Sequence, residues 1–272
     1  MTTADIDFDA LKARMKATWM AGDFSEIAKY SETAAEEFMR RRGVKPGLRV
    51  LDIACGNGNL AIPAAKAGAA VTGVDIAPNL LDRGRQRAAR EGLSIRFDEG
   101  DAEKLPYPDA SFDLVVSMFG AMFAPRPERV VKELLRVCRP GGQIAMATWT
   151  PRGFAGELFK TTGKYAPPPL GTPAPALWGD EATVRERFSD GVRELRMTPI
   201  IAHLKYPFSV PDTVELFRRY FGPAQKAFEA LPADRQAALR EDLESLYTRH
   251  NTATDGTTDV AAEYLDIAMT RA

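Results

Sequence analysis

The stretch Val50 to Asn59 constrains this chain more than any other. It reads Val50-Leu51-Asp52-Ile53-Ala54-Cys55-Gly56-Asn57-Gly58-Asn59. An apolar run of strand type holds one acid and ends in a Gly-x-Gly turn. The segment that follows, Leu60-Ala61-Ile62-Pro63-Ala64-Ala65-Lys66-Ala67, reads as a helix. Strand, glycine turn, helix is how an α/β sheet presents backbone N–H groups to a ligand. The glycines let the backbone turn sharply and approach a bound molecule, because no Cβ intervenes.

The same alternation continues along the chain. Strands are predicted over 49–54, 70–75, 94–98, 112–117 and 143–149, with helices over 59–67, 78–91 and 127–138 between them. Pro78 starts the second of these helices and Gly92 stops it. Phe112-Asp113-Leu114-Val115-Val116-Ser117 suits a central strand buried on both faces. Such alternation implies a parallel sheet with right-handed crossovers, and ligands in such sheets bind at the carboxyl ends of the strands. Asp52, Asp75, Asp101 and Ser117 all fall at or near those ends.

Two cofactors compete for that edge. Gly56-x-Gly58-x-x-Ala61, followed by Asp75, satisfies the loose dinucleotide fingerprint, so an NAD(P)-dependent oxidoreductase is one reading. Asp52 counts against it, since a dinucleotide strand is normally apolar there and a buried carboxylate needs a polar partner. Val71-Thr72-Gly73-Val74-Asp75 and Ser94-Ile95-Arg96-Phe97-Asp98-Glu99-Gly100-Asp101-Ala102 likewise end in acids. Acids at three successive strand ends suit a methionine ammonium, a ribose diol and an adenine amino group. Leu51-Asp52-Ile53-Ala54-Cys55-Gly56-Asn57-Gly58, Val74-Asp75-Ile76, Gly100-Asp101-Ala102 and the Arg139-Pro140-Gly141-Gly142 turn resemble the class I S-adenosylmethionine-dependent methyltransferases, and within that family the sequence looks similar to those of quinone and secondary metabolism.

The resemblance implies a Rossmann-like seven-stranded, mostly parallel sheet with helices on both faces, an antiparallel last strand and a helical lid. It implies S-adenosyl-L-methionine as cofactor, S-adenosyl-L-homocysteine as product, a small-molecule acceptor and no metal. By matched position, Asp52, Ala54, Gly56, Asn57 and Gly58 would face the methionine part, and Asp75 the ribose hydroxyls. Ile76 would pack on the adenine, and Asp101 would accept from its amino group beside the Ala102 N–H. Ser117, Met118 and Phe119 would line the floor beneath the sulfur. The N-terminal segment of this family covers the cofactor, which makes Trp19 and Tyr30 candidates there.

The expected organisation is a helical cap over 1–45, a cofactor-binding core over 46–150, a connection with late strands over 151–210, a helical lid over 211–255 and a final strand over 256–272. Phe8, Leu11, Met15 and Trp19 recur at near-helical spacing, giving a helix over 7–20. A second helix over about 30–42 ends in Arg40-Arg41-Arg42, read as a solvated end. Residues 153–179 are rich in Gly and Pro, with Pro167-Pro168-Pro169, and read as an extended connection. A short helix covers 180–188. Residues 192–208 favour strand, broken at Pro199, and 263–270 suit either helix or strand, the family's last strand favouring the latter.

A formal net charge of −1 gives no overall electrostatic case for nucleic acid. No apolar run is long enough to span a bilayer, and the acidic N-terminal residues do not read as a secretory signal. Cys55 and Cys138 form no Cys/His cluster, and a reduced cytoplasmic setting is expected. Oligomeric state is not encoded legibly. His203, His250 and Tyr220 are the candidate catalytic residues, with Tyr247 of equal standing to Tyr220. Phe119, Phe123, Phe217, Tyr220 and Phe221 would form an apolar acceptor pocket. With no identifiable base, a protein that holds the cofactor without turnover is the third reading.

Overall fold

The structure is a computed structural model that describes residues 6–168 and 171–272. Helix α1 (Phe8–Met20) is capped by the Asp7 carboxylate, which accepts from the N–H groups of Asp9 and Ala10. The short α2 (Ser25–Ala28), a tight turn at Lys29–Ser31 and α3 (Glu32–Arg42) follow. Gly43, left-handed at φ 60°, ends α3. The Arg40–Arg42 end is not simply solvated. Arg41 and Arg42 donate to the buried Asp266 carboxylate at 2.7 and 2.8 Å, which docks the helix on the sheet.

The alternating region gives β1 (Arg49–Ile53), α4 (Ala61–Lys66), β2 (Ala70–Asp75), α5 (Pro78–Arg90), β3 (Ile95–Glu99), β4 (Phe112–Met118), α6 (Pro127–Val137) and β5 (Cys138–Trp149). Then come α7 (Phe154–Gly163), α8 (Glu181–Arg187), β6 (Val192–Tyr206), α9 (Val210–Tyr220), α10 (Gly222–Glu229), α11 (Ala233–His250) and β7 (Thr258–Arg271). The seven strands lie in the order β3-β2-β1-β4-β5-β7-β6. The first five run parallel, and β7 inserts antiparallel between β5 and β6. The strand order reverses between β1 and β4, where a crevice opens at the carboxyl edge.

Strand alternation builds a core on each face. Val50, Val116 and Ala145 pack with α3, α4, α5 and α11, while Leu51, Val115 and Ile144 pack with α6, α8 and Trp178. Helices thus cover both faces, which is why the central strands are apolar on both sides.

Three expectations need correction. Residues 153–179 do not form an extended connection: they hold α7 and a 3-10 turn at Pro175–Gly179, with Phe154 and Trp178 buried. The glycines there serve close packing. A Cβ on Gly156 would stand 2.4 Å from the Pro151 carbonyl oxygen, and one on Gly179 would stand 2.2 Å from that of Trp149. Pro169 lies outside the described residues. Strand β6 runs unbroken through Pro199, because it is an edge strand paired only with β7 and a missing N–H costs little there. Its irregularity falls instead between Arg193 and Arg196, with Glu194 at φ 56°. Strand β5 begins at Cys138, so Arg139-Pro140-Gly141-Gly142 lies within it as an irregular segment rather than before it, with a register shift between Phe112 and Leu114 opposite.

Helices α9 to α11 connect β6 to β7 and meet the N-terminal helices over the carboxyl edge. Gly222 makes the junction tight: a Cβ there would lie 2.0 Å from the Thr18 carbonyl oxygen of α1. Asp23 N–H donates to the Tyr220 carbonyl across the same seam.

Candidate active site

At the carboxyl edge lies a cavity of about 130 Å³. Its acids come from the ends of β1 and β2. Asp75, 7% exposed, accepts from the Gly56 N–H on one oxygen and the Ala77 N–H on the other, both at 2.8 Å. Asp52, 1% exposed, accepts from the Ala61 N–H at the start of α4. Burial raises both carboxyls above their ordinary range, Asp52 far above, and the charge of Asp75 raises Asp52 further. Among the described residues, backbone N–H groups are the only opposing influence on either.

Asp101 is held differently. It lies two residues past β3 and pairs with Lys12 of α1 at 2.5 Å. Lys12 also pairs at 2.6 Å with Glu103, whose other partner is Arg126. One cation from the N-terminal helix thus reaches across to the third acid.

The backbone itself is strained at the floor. Ala54 (φ 53°) and Phe119 (φ 56°) are left-handed non-glycine residues just past β1 and β4, and both line the cavity. Such conformations concentrate at functional sites. Gly120 stands so close that a Cβ would lie 2.6 Å from Ala54. The roof is aromatic: Trp19 stacks edge-on to Phe24 at 5.8 Å and to Phe123 at 5.0 Å, and Met15 lies beside them.

Of the residues singled out by sequence, Trp19, Asp52, Ala54, Gly56, Asn57, Asp75, Ile76, Asp101, Ala102 and Met118 line this one cavity. Three others do not. Tyr30 lies in the tight turn that aims Ala28 and Ser31 inward, and its ring packs on Tyr206 at 4.5 Å. Gly58 turns the chain at φ 89° but backs onto Phe97 and Ile62. Ser117 is buried beneath the floor: its hydroxyl donates to the Ile53 carbonyl at 2.8 Å and accepts from the Ala121 N–H, so both functions are used structurally.

The candidate catalytic residues lie elsewhere. His203, on the exposed face of edge strand β6, is bonded to Asp259 at 3.0 Å. His250, at the end of α11, packs on Phe154 and pairs with Glu157 at 3.4 Å. Tyr220 uses its carbonyl at the α1–α10 seam, and its side chain lines neither this cavity nor the next. None of the three reaches the acids.

A second cavity, of about 150 Å³, lies beneath the α9–α11 helices. Phe123 belongs to both walls, so the two meet at that ring. Phe159, Phe217, Phe221, Leu158, Leu243 and Tyr247 supply half of the rest. Phe119 lines only the first cavity, stacked on Trp149 at 3.6 Å.

The sequence of a methyltransferase domain family matches residues 51–146, the span that carries both acids and the glycine turn. A protein of Mycobacterium tuberculosis is 40% identical over 229 residues, covering 83% of each chain. The demethylmenaquinone methyltransferase of Deinococcus radiodurans is 40% identical over 127 residues, 45% of this chain and 53% of that one. The structure of Haemonchus contortus phosphoethanolamine N-methyltransferase 2, which holds S-adenosylhomocysteine, shares the fold with a TM-score of 0.57 at 20% identity, over 88% of this chain and 52% of that one. This chain belongs to the class I S-adenosylmethionine-dependent methyltransferases. The cavity acids fit the group this family uses: two buried carboxyls opposed by no cation suit an ammonium and a diol.

Lys12, Met15, Phe24 and Asn59 line the methyltransferase's cavity but were not singled out by sequence. A signal for the first two existed, since Lys12, Met15 and Trp19 follow at helical intervals of three and four. Asn59 closes the glycine-turn stretch without having been given a role, and Phe24 carried no signal. Among the described residues, no group of three His, Cys, Asp or Glu is placed to hold a metal ion, and no helix is long and apolar enough to cross a membrane.

Proposed function

We propose that the methyltransferase moves a methyl group from S-adenosylmethionine to a small-molecule acceptor that enters from the apolar side of Phe123. The observation that carries this reading is the pair Asp52 and Asp75, buried at one cavity wall without a cation, opposite an aromatic ring that leads into a second, apolar cavity. When bound, the cofactor supplies an electrophilic methyl on a sulfonium, which a nucleophile displaces in line.

Asp75 keeps lone pairs free beside its two backbone donors, enough to accept a ribose diol. Asp52 balances an ammonium while its other oxygen caps α4. Ile76 and Leu80 give an apolar slot for adenine, and Asp101 releases Lys12 or shares it when accepting the amino group. Trp19, Phe24 and Phe123 exclude water over the floor of Met118 and Phe119. An apolar roof does not oppose the reaction, because charge on sulfur disappears as it proceeds. With the histidines remote, alignment of acceptor and methyl carries the acceleration. Both cysteines are free and buried, which supports a reducing, cytoplasmic setting.

Calorimetric titration with S-adenosylmethionine, S-adenosylhomocysteine, NAD and NADH tests the reading. Binding of the two sulfur compounds alone is the expected result, and binding of the nicotinamides alone overturns it. Transfer of a labelled methyl to any member of a panel of neutral aromatic acceptors then excludes a binding protein without turnover.

A further inference from the structure

We propose that the second cavity is a hydrocarbon subsite for the acceptor, taking one benzene-sized ring that carries no polar group inside it, with Ala224 and Ala227 of α10 setting its size. This rests on the reading of the first cavity as the methyl-donor site.

Charge is kept out of this space. Among the described residues no charged side chain lines it. Charged residues on and beside the helices that build it pair with one another outside the lining. Glu157 pairs with Arg249 and His250, Asp242 with Lys164, and Glu215 with Arg218 and Arg240. A charged group placed inside would lose its hydration and gain no partner. Two lining residues carry a polar side-chain atom, Thr162 and Tyr247. The Thr162 hydroxyl is turned back onto its own helix, donating to the Leu158 and Phe159 carbonyls. Tyr247 offers its ring alone, because its oxygen is closed off by the surrounding protein. A polar substituent on the guest would therefore meet no side-chain partner.

Shape and size point to a ring. Five lining residues are aromatic: Phe123, Phe159, Phe217, Phe221 and Tyr247. Phe123 meets Phe159 at 80° and Phe217 meets Phe221 at 68°, so the rings do not share a plane. Walls of this kind favour an aromatic guest, which gains by edge-to-face and offset contacts beyond its buried area. The cavity measures about 150 Å³. An apolar cavity of about that volume is enough to hold one benzene. The space exists because α10 presents alanine twice at the wall. Ala224 and Ala227 are three residues apart, hence on one face, and both are buried. Phe123 belongs to both cavities, so a ring seated here has one end toward the donor site. The methyl-accepting atom lies at that end, as the polar end of the molecule.

The test uses the full chain saturated with S-adenosylhomocysteine and proton NMR titration with phenol, 4-methylphenol, 4-hydroxybenzoate and 1-hexanol. 4-Methylphenol is expected to bind about fourfold tighter than phenol, the worth of one buried methyl. 4-Hydroxybenzoate, with a charge in place of that methyl, is expected to bind about 100-fold more weakly than 4-methylphenol or worse. The flexible 1-hexanol is expected to bind about fivefold more weakly than 4-methylphenol, for want of ring contacts. Ala227→Leu, which fills the space, is expected to weaken 4-methylphenol about tenfold with S-adenosylhomocysteine affinity maintained. Ala224→Val, a smaller intrusion on the same face, weakens it to a lesser extent and serves if the leucine variant does not fold. A carboxylate that binds as well as the methyl overturns the proposal. So does a chain that binds as well as the ring, 4-methylphenol affinity indifferent to the folded alanine variants, or a saturated wild type that binds no probe. Failure of S-adenosylhomocysteine itself to bind the wild type would overturn the donor-site reading instead.

Discussion

The two edges of this sheet treat the same residue type in opposite ways. At the amino edge, Asp113 of β4 accepts from the Arg49 N–H at 2.9 Å, from the Arg49 guanidinium and from Arg139 at 2.7 Å. These partners hold its carboxyl well below the usual range, with the Arg49 side chain contributing most. At the carboxyl edge, three residues along β1 from Arg49, Asp52 meets one backbone N–H and is raised. Asp75 on the neighbouring strand behaves likewise. An acid at the amino edge is completed by the chain itself and belongs to structure. Asp52 and Asp75 at the carboxyl edge, unlike Asp101 with its Lys12, meet backbone donors only among the described residues, and on the proposed function a ligand completes them.

The sharpest way to break this contrast is Asp75→Ala. Removing an acceptor of two hydroxyls costs two charge-assisted hydrogen bonds, about 1.5–3 kcal/mol each. S-adenosylhomocysteine affinity is expected to fall about 100-fold or more, read by calorimetry. Asp75 also holds the Gly56 turn, so Asp75→Asn serves as the shape-preserving companion and is expected to lose at least tenfold. Affinity unchanged in both variants would make the carboxyl-edge acids structural, like Asp113.

Asp52→Asn comes next, with two readouts of opposite direction. Cofactor affinity is expected to drop about tenfold, because the balance for a ligand cation is removed. The ligand-free protein should respond differently. Folded Asp52 retains its proton at pH values where the unfolded chain has released it, from about 3.9 upward. The folded state therefore binds more protons over that window, and stability falls as pH rises through it. Replacing the acid with an amide removes that contribution. Thermal midpoints of Asp52→Asn should decline less between pH 5 and pH 7 than those of wild type. A parallel decline would show that Asp52 is not the raised group.

Much of the carboxyl edge was legible because it is written locally. Gly56-Asn57-Gly58 encodes its own turn, and Asp52 within its apolar run and Asp75 at the end of the next sit in strands whose character needs no distant partner. Ser117 and Gly58 were placed in the right layer but on the wrong side of it. Which way a strand-end residue faces depends on the element packed behind, Ala121 for Ser117 and Phe97 for Gly58. The second cavity was only half legible. Phe123, Phe217 and Phe221 announced an apolar wall, yet Tyr220 and Tyr247 looked equivalent until burial separated them. The glycines of 153–179 misled because glycine marks flexible chain and close packing alike, and only the neighbours Pro151 and Trp149 decide between them.

The smallest effect sharpens the contrast from the other edge. Asp113→Asn removes an acid whose cationic partners are half exposed, Arg49 at 49% and Arg139 at 44%, so solvent screens much of the attraction. The expected loss is about 1 kcal/mol, a drop of roughly 2–4 °C in thermal midpoint for a chain of this size. The pH dependence runs opposite to that of Asp52. Folded Asp113 is depressed, so its contribution is present above about pH 3.9 and is lost as pH falls below it. Wild type and variant should therefore converge near pH 3, where the wild-type advantage erodes, and converge also in high salt. Affinity for S-adenosylhomocysteine should match wild type at pH 7. If Asp113→Asn instead weakened that affinity as much as Asp52→Asn, the two edges would not be separable, and the acids at the carboxyl edge would owe their effect to the sheet as a whole.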